Sequence, residues 1–401
     1  MAEYELWLTD DAGRRILSLN GLNEPFFFSY TRVVSGLGTF SFGVPFSVFK
    51  DKVKPYFVPD QRIEVWRSPI VGIPMRREDS FMLRKPNIYT RQDNVEVIQF
   101  YGRNGVDLLN RSYVIQRAGT SYASKTDFID DMMKAVVREQ MLYGSAINRL
   151  GNQDNSSALP QNEFFVAGDL GLGPTVSLAF PDRKVFDILK DLNKASIQLR
   201  DEDSDANRAI HFDVVPRDLD PTDAPSGARV GWEFRTYADM RGTDRTSQLE
   251  FSRENENLDH PSYSISHLEE INSVVVRGNG SGANQLLGFV QDATRVGASR
   301  WNRCEKVISA NSTTNATALN DAGRAELSKG RPKEELFATL LNNPGGAGVP
   351  RSLYGVDWDL GDRVRVNYAD KQFEADINVV YVSVDDRGKE EITGRNEIQA
   401  A

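Results

Sequence analysis

The sequence predicts an α+β, β-rich chain built on barrel domains, and three observations carry that reading. Residues 3–115 run in short, closely spaced stretches of alternating apolar and polar side chains; helical periodicity is confined to 126–142, 181–199 and part of 315–342; and alternating strands return from Tyr354 to Glu397. Strands and helices are thus segregated, whereas a doubly wound parallel sheet would interleave them. No fixed period emerges along the chain, which argues against a solenoid or propeller.

Tyr4, Leu6 and Leu8 alternate with polar neighbours, Asp10 to Gly13 makes a turn, and Phe26 to Phe28, Thr39 to Val44, Arg62 to Arg67, Ser80 to Leu83 and Val95 to Tyr101 supply further strands. In the segment 126–142, Phe128, Ile129, Met132, Met133, Val136, Val137 and Met141 form one apolar stripe, with Thr126 and Asp127 offering capping oxygens. An Asn-, Gly- and Ser-rich loop at 144–162 separates this helix from a second at 181–199, where Val185, Ile188, Leu189 and Leu192 share a face and Pro181 stands near the start. Strands resume at Ile210 to Val215 and Val230 to Tyr237 around the turn-rich PRDLDPTDAPSGA, and 271–277 reads as a buried strand. Helical periodicity at 315–342 is broken by Gly330 and Pro332, and NNPGGAGVP leads into the last strands, at 363–368 and 373–384, with turns at Gly361-Asp362 and Asp386 to Gly388.

Composition narrows the function. The 401 residues suffice for about two to three domains. Their 57 acidic and 48 basic side chains leave a formal charge of −9, which argues against a surface devoted to gripping nucleic acid and leaves open a channel through which it slides without sticking. The single cysteine, Cys304, rules out a disulfide framework. MAEYELWLTDDAGRRILSL reaches charged positions at once and reads as a first strand, not as a signal, and no apolar run approaches the ~18 residues of a spanning helix, so a soluble protein is expected.

Candidate sites are few. GNGSG at 278–282 follows a strand, as a phosphate-cradling loop would, but lacks the receiving helix and the Lys and Ser or Thr of a P-loop, and reads as a hairpin loop. His211 and Asp213, two apart on a strand, suit a hydrogen-bonded pair or two metal ligands but have no recognisable third partner; His260 and His267 fit no ligand spacing. Asp201, Glu202, Asp203, Asp205, Glu269, Glu270, Asp385 and Asp386 lie in turns and hydrophilic runs, where a solvated face is the default against a glycosidase-like pair. Arg241 to Thr246, RGTDRT, reads as a salt-bridged turn that could otherwise meet an anion or a neighbouring subunit. The Asn-X-Ser/Thr sites at Asn155, Asn279, Asn311 and Asn315 carry little weight without a secretory signal. No catalytic residue, metal site or cofactor is therefore assigned, and no enzyme activity is expected.

Several segments, in order, resemble the hub proteins of phage tails and baseplates. FSYTRVVSGLGTFSFGVP at 28–45, RIEVWRSP at 62–69 and QFYGRNGVDLLNRSYV at 99–114 are similar to the first tube barrel of that family; WEFRTYADMRGTDRTSQLEFSRENENLDHPSYSIS at 232–266, INSVVVRGNGSG and YGVDWDLGDRVRV are similar to the second. The resemblance implies two tube-type β-barrel domains with an inserted or flanking α+β region: 1–118 the first barrel, 119–208 a helical insertion, 209–277 the first part of the second barrel, 278–350 an α+β insertion and linker, and 351–401 the strands completing it. Either 364–368 or 379–384 should then pair with strands from 210–277.

The resemblance further implies a homotrimer that closes the end of the tail tube, adapts its sixfold symmetry to a threefold tip and forms part of the ejection channel. The partners implied are the tail tube or distal tail protein, the tape measure protein and a spike or fibre protein, with DNA passing the lumen without specific binding. The location implied is the virion tail tip, after synthesis in the host cytoplasm. Many relatives continue into a peptidase, lysin or fibre, whereas this sequence stops at Ala401, so wall-degrading and receptor-binding work is expected of other chains. Two competing readings are a peptidoglycan hydrolase using carboxylates such as Asp201 or Glu269, and a carbohydrate-binding baseplate component using Trp232, Tyr237 or Trp301.

Overall fold

A computed structural model of the chain describes residues 2–10, 12–20, 26–58, 60–114, 123–142, 163–180, 183–199, 208–219, 229–310, 315–346 and 348–398. The chain opens with strands β1 (Glu3–Thr9), β2 (Arg15–Ser18), β3 (Phe27–Val33) and β4 (Thr39–Pro45), then the short helix α1 (Phe46–Val48). Next come β5 (Arg62–Ser68), β6 (Arg76–Thr90), β7 (Glu96–Asn104), α2 (Val106–Arg111), β8 (Tyr113–Val114), β9 (Ala123–Phe128) and α3 (Ile129–Met141). The middle continues with β10 (Phe164–Val166), β11 (Thr175–Phe180), β12 (Arg183–Lys184), α4 (Val185–Leu199), β13 (Ile210–Asp218), β14 (Val230–Ala238), β15 (Glu250–Phe251) and β16 (Leu258–Ser266). The last part holds β17 (Ser273–Arg277), β18 (Leu287–Gln291), α5 (Ala293–Gly297), β19 (Glu305–Ser309), α6 (Ala316–Lys329), β20 (Lys333–Leu341), β21 (Arg363–Tyr368), β22 (Lys371–Val384) and β23 (Glu390–Ile398).

Two compact units result: a larger one from Met1–His260 and Ala338–Glu397, and a smaller one from Pro261–Phe337 with Ile398–Ala401. The larger unit carries the main sheet, in which β2-β1-β5-β6-β7-β4-β3-β22-β23 are successive neighbours, β20 and β16 extend the order, and β21 joins β22 to β15. The architecture is the β-rich α+β fold that the strand and helix patterns predict, but among the described residues no sheet closes on itself by hydrogen bonds. Alternation explains the strands: on β3 the side chains of Phe28, Tyr30 and Arg32 point inward, and Ser29 and Thr31 point out.

The helical part of this unit packs α3 and α4 beside the three-stranded sheet β10-β14-β13. Ile129, Met132, Met133, Val136, Val137 and Met141 all enter the core, as their spacing predicts, against Phe212, Trp232 and Phe234. The expected caps are not used. Thr126 and Asp127 lie in β9, paired to β11, and the first helical N–H groups of Ile129 and Asp130 instead donate to the carbonyls of Pro174 and Leu172, each at 3.2 Å. The loop 144–162 and Pro181 lie outside the described residues, as does all of the PRDLDPTDAPSGA stretch beyond Leu219.

The C-terminal hairpin is not a separate domain. Within it, β21 pairs in parallel with β15, Glu250 opposite Arg365 and Phe251 opposite Val366, which meets the pairing expected of 364–368. The segment 379–384 does otherwise: Val379 to Val384 run antiparallel to Val33 to Phe28, inserting β22 beside an N-terminal strand. A second departure concerns 333–341, expected to continue a broken helix. It forms β20, with Leu336, Ala338 and Leu340 buried and Phe337 exposed, because alternation at period two fits a sheet and α6 has already ended at Gly330.

The smaller unit is a three-stranded sheet, β18-β17-β19, antiparallel on one side and parallel on the other, with α6 packed on one face. Among the described residues its apolar cluster has Val274, Val276 and Leu319 fully buried, with Ile271, Leu286, Val290, Ile308 and Leu327 packed against them. GNGSG lies between β17 and β18, where the N–H of Gly278 donates to Leu286 and that of Leu286 to Asn279, so it is the hairpin loop the sequence indicates.

Candidate functional site

The larger unit's most elaborate chemistry lies where N- and C-terminal strands meet. Arg32 occupies an inward position on β3, where alternation calls for an apolar side chain, and the fold answers it with acceptors from distant parts of the chain. Its Nη1 donates to the Tyr354 hydroxyl at 2.6 Å, to Asp359 at 3.1 Å and to Glu78 at 3.2 Å. Tyr354 in turn donates to Glu78, and Arg76 bridges Glu78 at 2.9 Å and Asp359 at 2.7 Å. A second guanidinium, Arg67 on β5, is 1% exposed; it donates to Glu390 on β23 at 2.7 and 3.1 Å, to the Tyr354 carbonyl at 2.9 Å and to the Tyr4 hydroxyl at 3.0 Å. Charges this deep persist only when each is paired and hydrogen-bonded, since an isolated one costs several kcal/mol.

These environments shift the groups in opposite directions. Burial pushes the phenols of Tyr4, Tyr30 and Tyr354 well up, so all three stay neutral, Tyr4 donating to Glu390 and Tyr354 to Glu78. Burial also acts to raise Asp359, but Arg32 and Arg76 outweigh it and hold the carboxyl below its usual range. Asp79 is the exception. Burial, reinforced by the neighbouring Asp213 charge, pushes it up to about 7, with Arg32 and Arg241 opposing and the Ser80 N–H donating to it at 2.8 Å.

A clasp completes the seam. Asp362, in the Gly361-Asp362 turn, accepts from the N–H of Thr243 at 2.7 Å, from Arg245 Nε at 2.7 Å and from the N–H of Asp359 at 2.9 Å. Two glycines let the chains approach: Gly361 sits at φ +87°, Gly242 donates to its carbonyl at 2.9 Å, and a Cβ on Gly242 would stand 2.2 Å from Asp362 Oδ1. The RGTDRT segment is therefore the salt-bridged turn the sequence indicates, directed at the GD turn of the same chain.

The remaining candidates do not converge. Asp213 is taken up by Arg241 at 3.0 Å, whereas His211 lies against Asn193 and is held below its ordinary value by burial. His260 sits beside Asp259 and His267 beside Glu270, each at 2.8 Å. Burial acts to raise Glu270, but hydrogen bonds from His267 and Asn272 and the charge of Arg295 bring it below the usual range. Glu269 is exposed, Asp385 accepts from the N–H groups of Arg387 and Lys389 in its own turn, and Asp386 pairs with Arg91 at 3.1 Å. Asp201, Glu202, Asp203, Asp205, Asn155 and Asn311 lie outside the described residues. Among the described residues no group of three or more His, Cys, Asp or Glu could hold a metal ion, and no helix is long and apolar enough to cross a membrane. Of the three aromatics, Trp232 is core, Tyr237 stacks under Arg241, and Trp301 is 90% exposed.

Pattern reading passes over Arg32, Arg67, Glu78, Tyr354, Asp359 and Glu390, although a charged residue at inward parity, as Arg32 is after Phe28 and Tyr30, is the visible signal.

Comparison with known proteins follows this geometry. The sequence model of a family described as Siphovirus ReqiPepy6 Gp37-like protein matches residues 81–394. No curated protein matches the chain. Among solved structures, the prophage MuSo2 43 kDa tail protein from Shewanella oneidensis is similar at a TM-score of 0.52 and 13% identity, over 99% of this chain and 98% of its own. The tail protein from Neisseria meningitidis MC58 is similar at a TM-score of 0.50 and 12% identity, over 98% of this chain and 96% of its own. At these identities the likeness is one of fold.

Proposed function

Since the chain belongs to the siphovirus ReqiPepy6 Gp37-like protein family, we propose that it is a structural, non-enzymatic component of a phage tail: a homotrimeric hub that closes the tail tube and adapts it to a threefold tip. The observation that carries this reading is the seam. Strand β22 from the C-terminal part lies between N-terminal and C-terminal strands of one sheet, and buried ion pairs at Arg32 and Arg67 tie distant segments into a frame without a catalytic constellation. A frame of that kind suits a part that bears load. The fold likeness to two tail proteins over nearly their whole lengths supports the same reading.

In this account the two tube-type barrel regions run over 1–118 and over 209–277 with 351–401, and three copies make a ring of six similar modules. The net charge of −9 disfavours retention of phosphates, so DNA passes the lumen without specific binding. Tube or distal tail protein and tape measure protein meet the ring from above, a spike or fibre protein from below, and the mature location is the virion tail. An antibody against the chain, applied to intact particles, should label the distal end of the tail by electron microscopy; label on the head, or none on assembled particles, would contradict the proposal. Incubation with peptidoglycan should release no fragments, and substantial release would replace the structural reading with a hydrolase.

A further inference from the structure

The smaller unit leaves several large apolar side chains exposed. Among the described residues its hydrophobic cluster has Val274, Val276 and Leu319 fully buried, with Ile271, Leu286, Val290, Ile308 and Leu327 partly buried against them, yet Leu268 is 95% exposed, Trp301 90%, Leu287 59%, Val307 53% and Phe289 49%. Register explains part of this. Val275 faces Phe289 on β18 and Val307 on β19, so the three make one cross-strand row on the face opposite α6, with Leu287 beside Arg277 at its end. Leu268 and Trp301 stand in the turns that enter β17 and β19. The edge is also unguarded: β18, LGFVQ, has no Lys, Pro or charge of the kind that protects exposed edges from pairing. A fold of this size with so little core is marginal by itself.

We propose that this face and the β18 edge are buried against a second copy of the chain, the larger unit of a neighbouring subunit covering the smaller unit of the first. The inference rests on the ring-forming hub reading. Charge selects the occupant. Residues 261–337 hold nine Lys and Arg against eight Asp and Glu, leaving 39 against 49 for the rest of the chain, so a unit of formal charge +1, with exposed Arg277 and Glu305 at opposite ends of the row, meets a body of formal charge −10. Such a contact joins two different surfaces and therefore repeats head to tail, which closes into a ring when the rotation allows. Three strands of five residues cover about 240 Å². That is well below the ~800 Å² per partner of a stable interface, so the row is the apolar centre of a larger contact with a polar rim.

The test uses the full chain. Phe289→Arg and Val307→Arg alter side chains that are about half exposed, so the subunit fold should survive, while the subunit dissociation constant measured by sedimentation should rise at least about tenfold. In the wild-type protein, the amides of 287–291 should exchange more slowly in the assembled state than after dilution to monomer. Unchanged assembly in both variants, with exchange at 287–291 indifferent to assembly, overturns the inference and leaves the hub reading standing. Protection that arises only when another tail protein is added overturns the assignment to a second copy. A wild-type chain that stays monomeric at micromolar concentration removes the hub reading itself, and this inference with it.

Discussion

The two units bury their apolar surface in different ways. In the larger, Trp358, Tyr354, Phe251, Phe42 and Phe81 are all but inaccessible and the charges among them are paired; in the smaller, the described cluster has Val274, Val276 and Leu319 fully buried with partly buried side chains around them, while Leu268, Trp301 and Phe289 stand exposed. The first is a self-sufficient fold, held by a jigsaw core and buried ion pairs. The second leaves more of its apolar area in water, and stability comes from area removed from water.

Substitutions can break or sharpen that contrast. Trp358→Ala should have the largest effect: it empties a site with 0% exposure between Phe251 and Tyr354 and orphans the Ser352 carbonyl to which Trp358 Nε1 donates at 2.9 Å. A loss of about 3–5 kcal/mol in the main calorimetric transition is expected. Leu319→Ala removes a fully buried side chain of the smaller unit and should cost about 2–4 kcal/mol. Because that unit has little to lose, 273–277 should lose exchange protection while the main transition stays in place; a shift of the main transition instead would show that the units do not differ in this way.

Acidity probes Asp79, a carboxyl whose charged form burial disfavours. The folded value of Asp79, near 7, lies above its unfolded one, so the native state binds the extra proton and this group's contribution to stability rises as pH falls from about 8 toward 4. Asp79→Asn removes the penalty, so the variant should be about 2–4 kcal/mol more stable than the parent near pH 8 and equal to it near pH 4, read from denaturant unfolding. A gain independent of pH would mean that Asp79 is not the source. Gly242→Ala tests the clasp, since the added methyl collides with Asp362; a loss of about 1–3 kcal/mol in the main transition is expected, with the smaller unit untouched.

Much of the larger unit is legible in the sequence. Strands such as Thr39–Pro45 and Arg363–Tyr368 and the apolar stripe of Ile129–Met141 follow from side-chain period, because one face is buried and the other wet. What is not legible depends on partners far along the chain. Residues 84–90, RKPNIYT, carry no strand signal and are held by pairing with β7; 333–341 looks helical until a sheet accepts it; and the ion pairs of Arg67 with Glu390 and Arg32 with Asp359 join residues more than 300 positions apart. The clasp is half legible. A Gly-Asp turn and an RGTDRT turn are each visible, but only folding brings them together.

The central claim is that this chain is a ring-forming structural part, and the mass of the purified full-length protein by native mass spectrometry at micromolar concentration tests it most directly. The account predicts an assembly of three chains, about three times the 44.9 kDa of one. A single 44.9 kDa species that persists as concentration rises would contradict it.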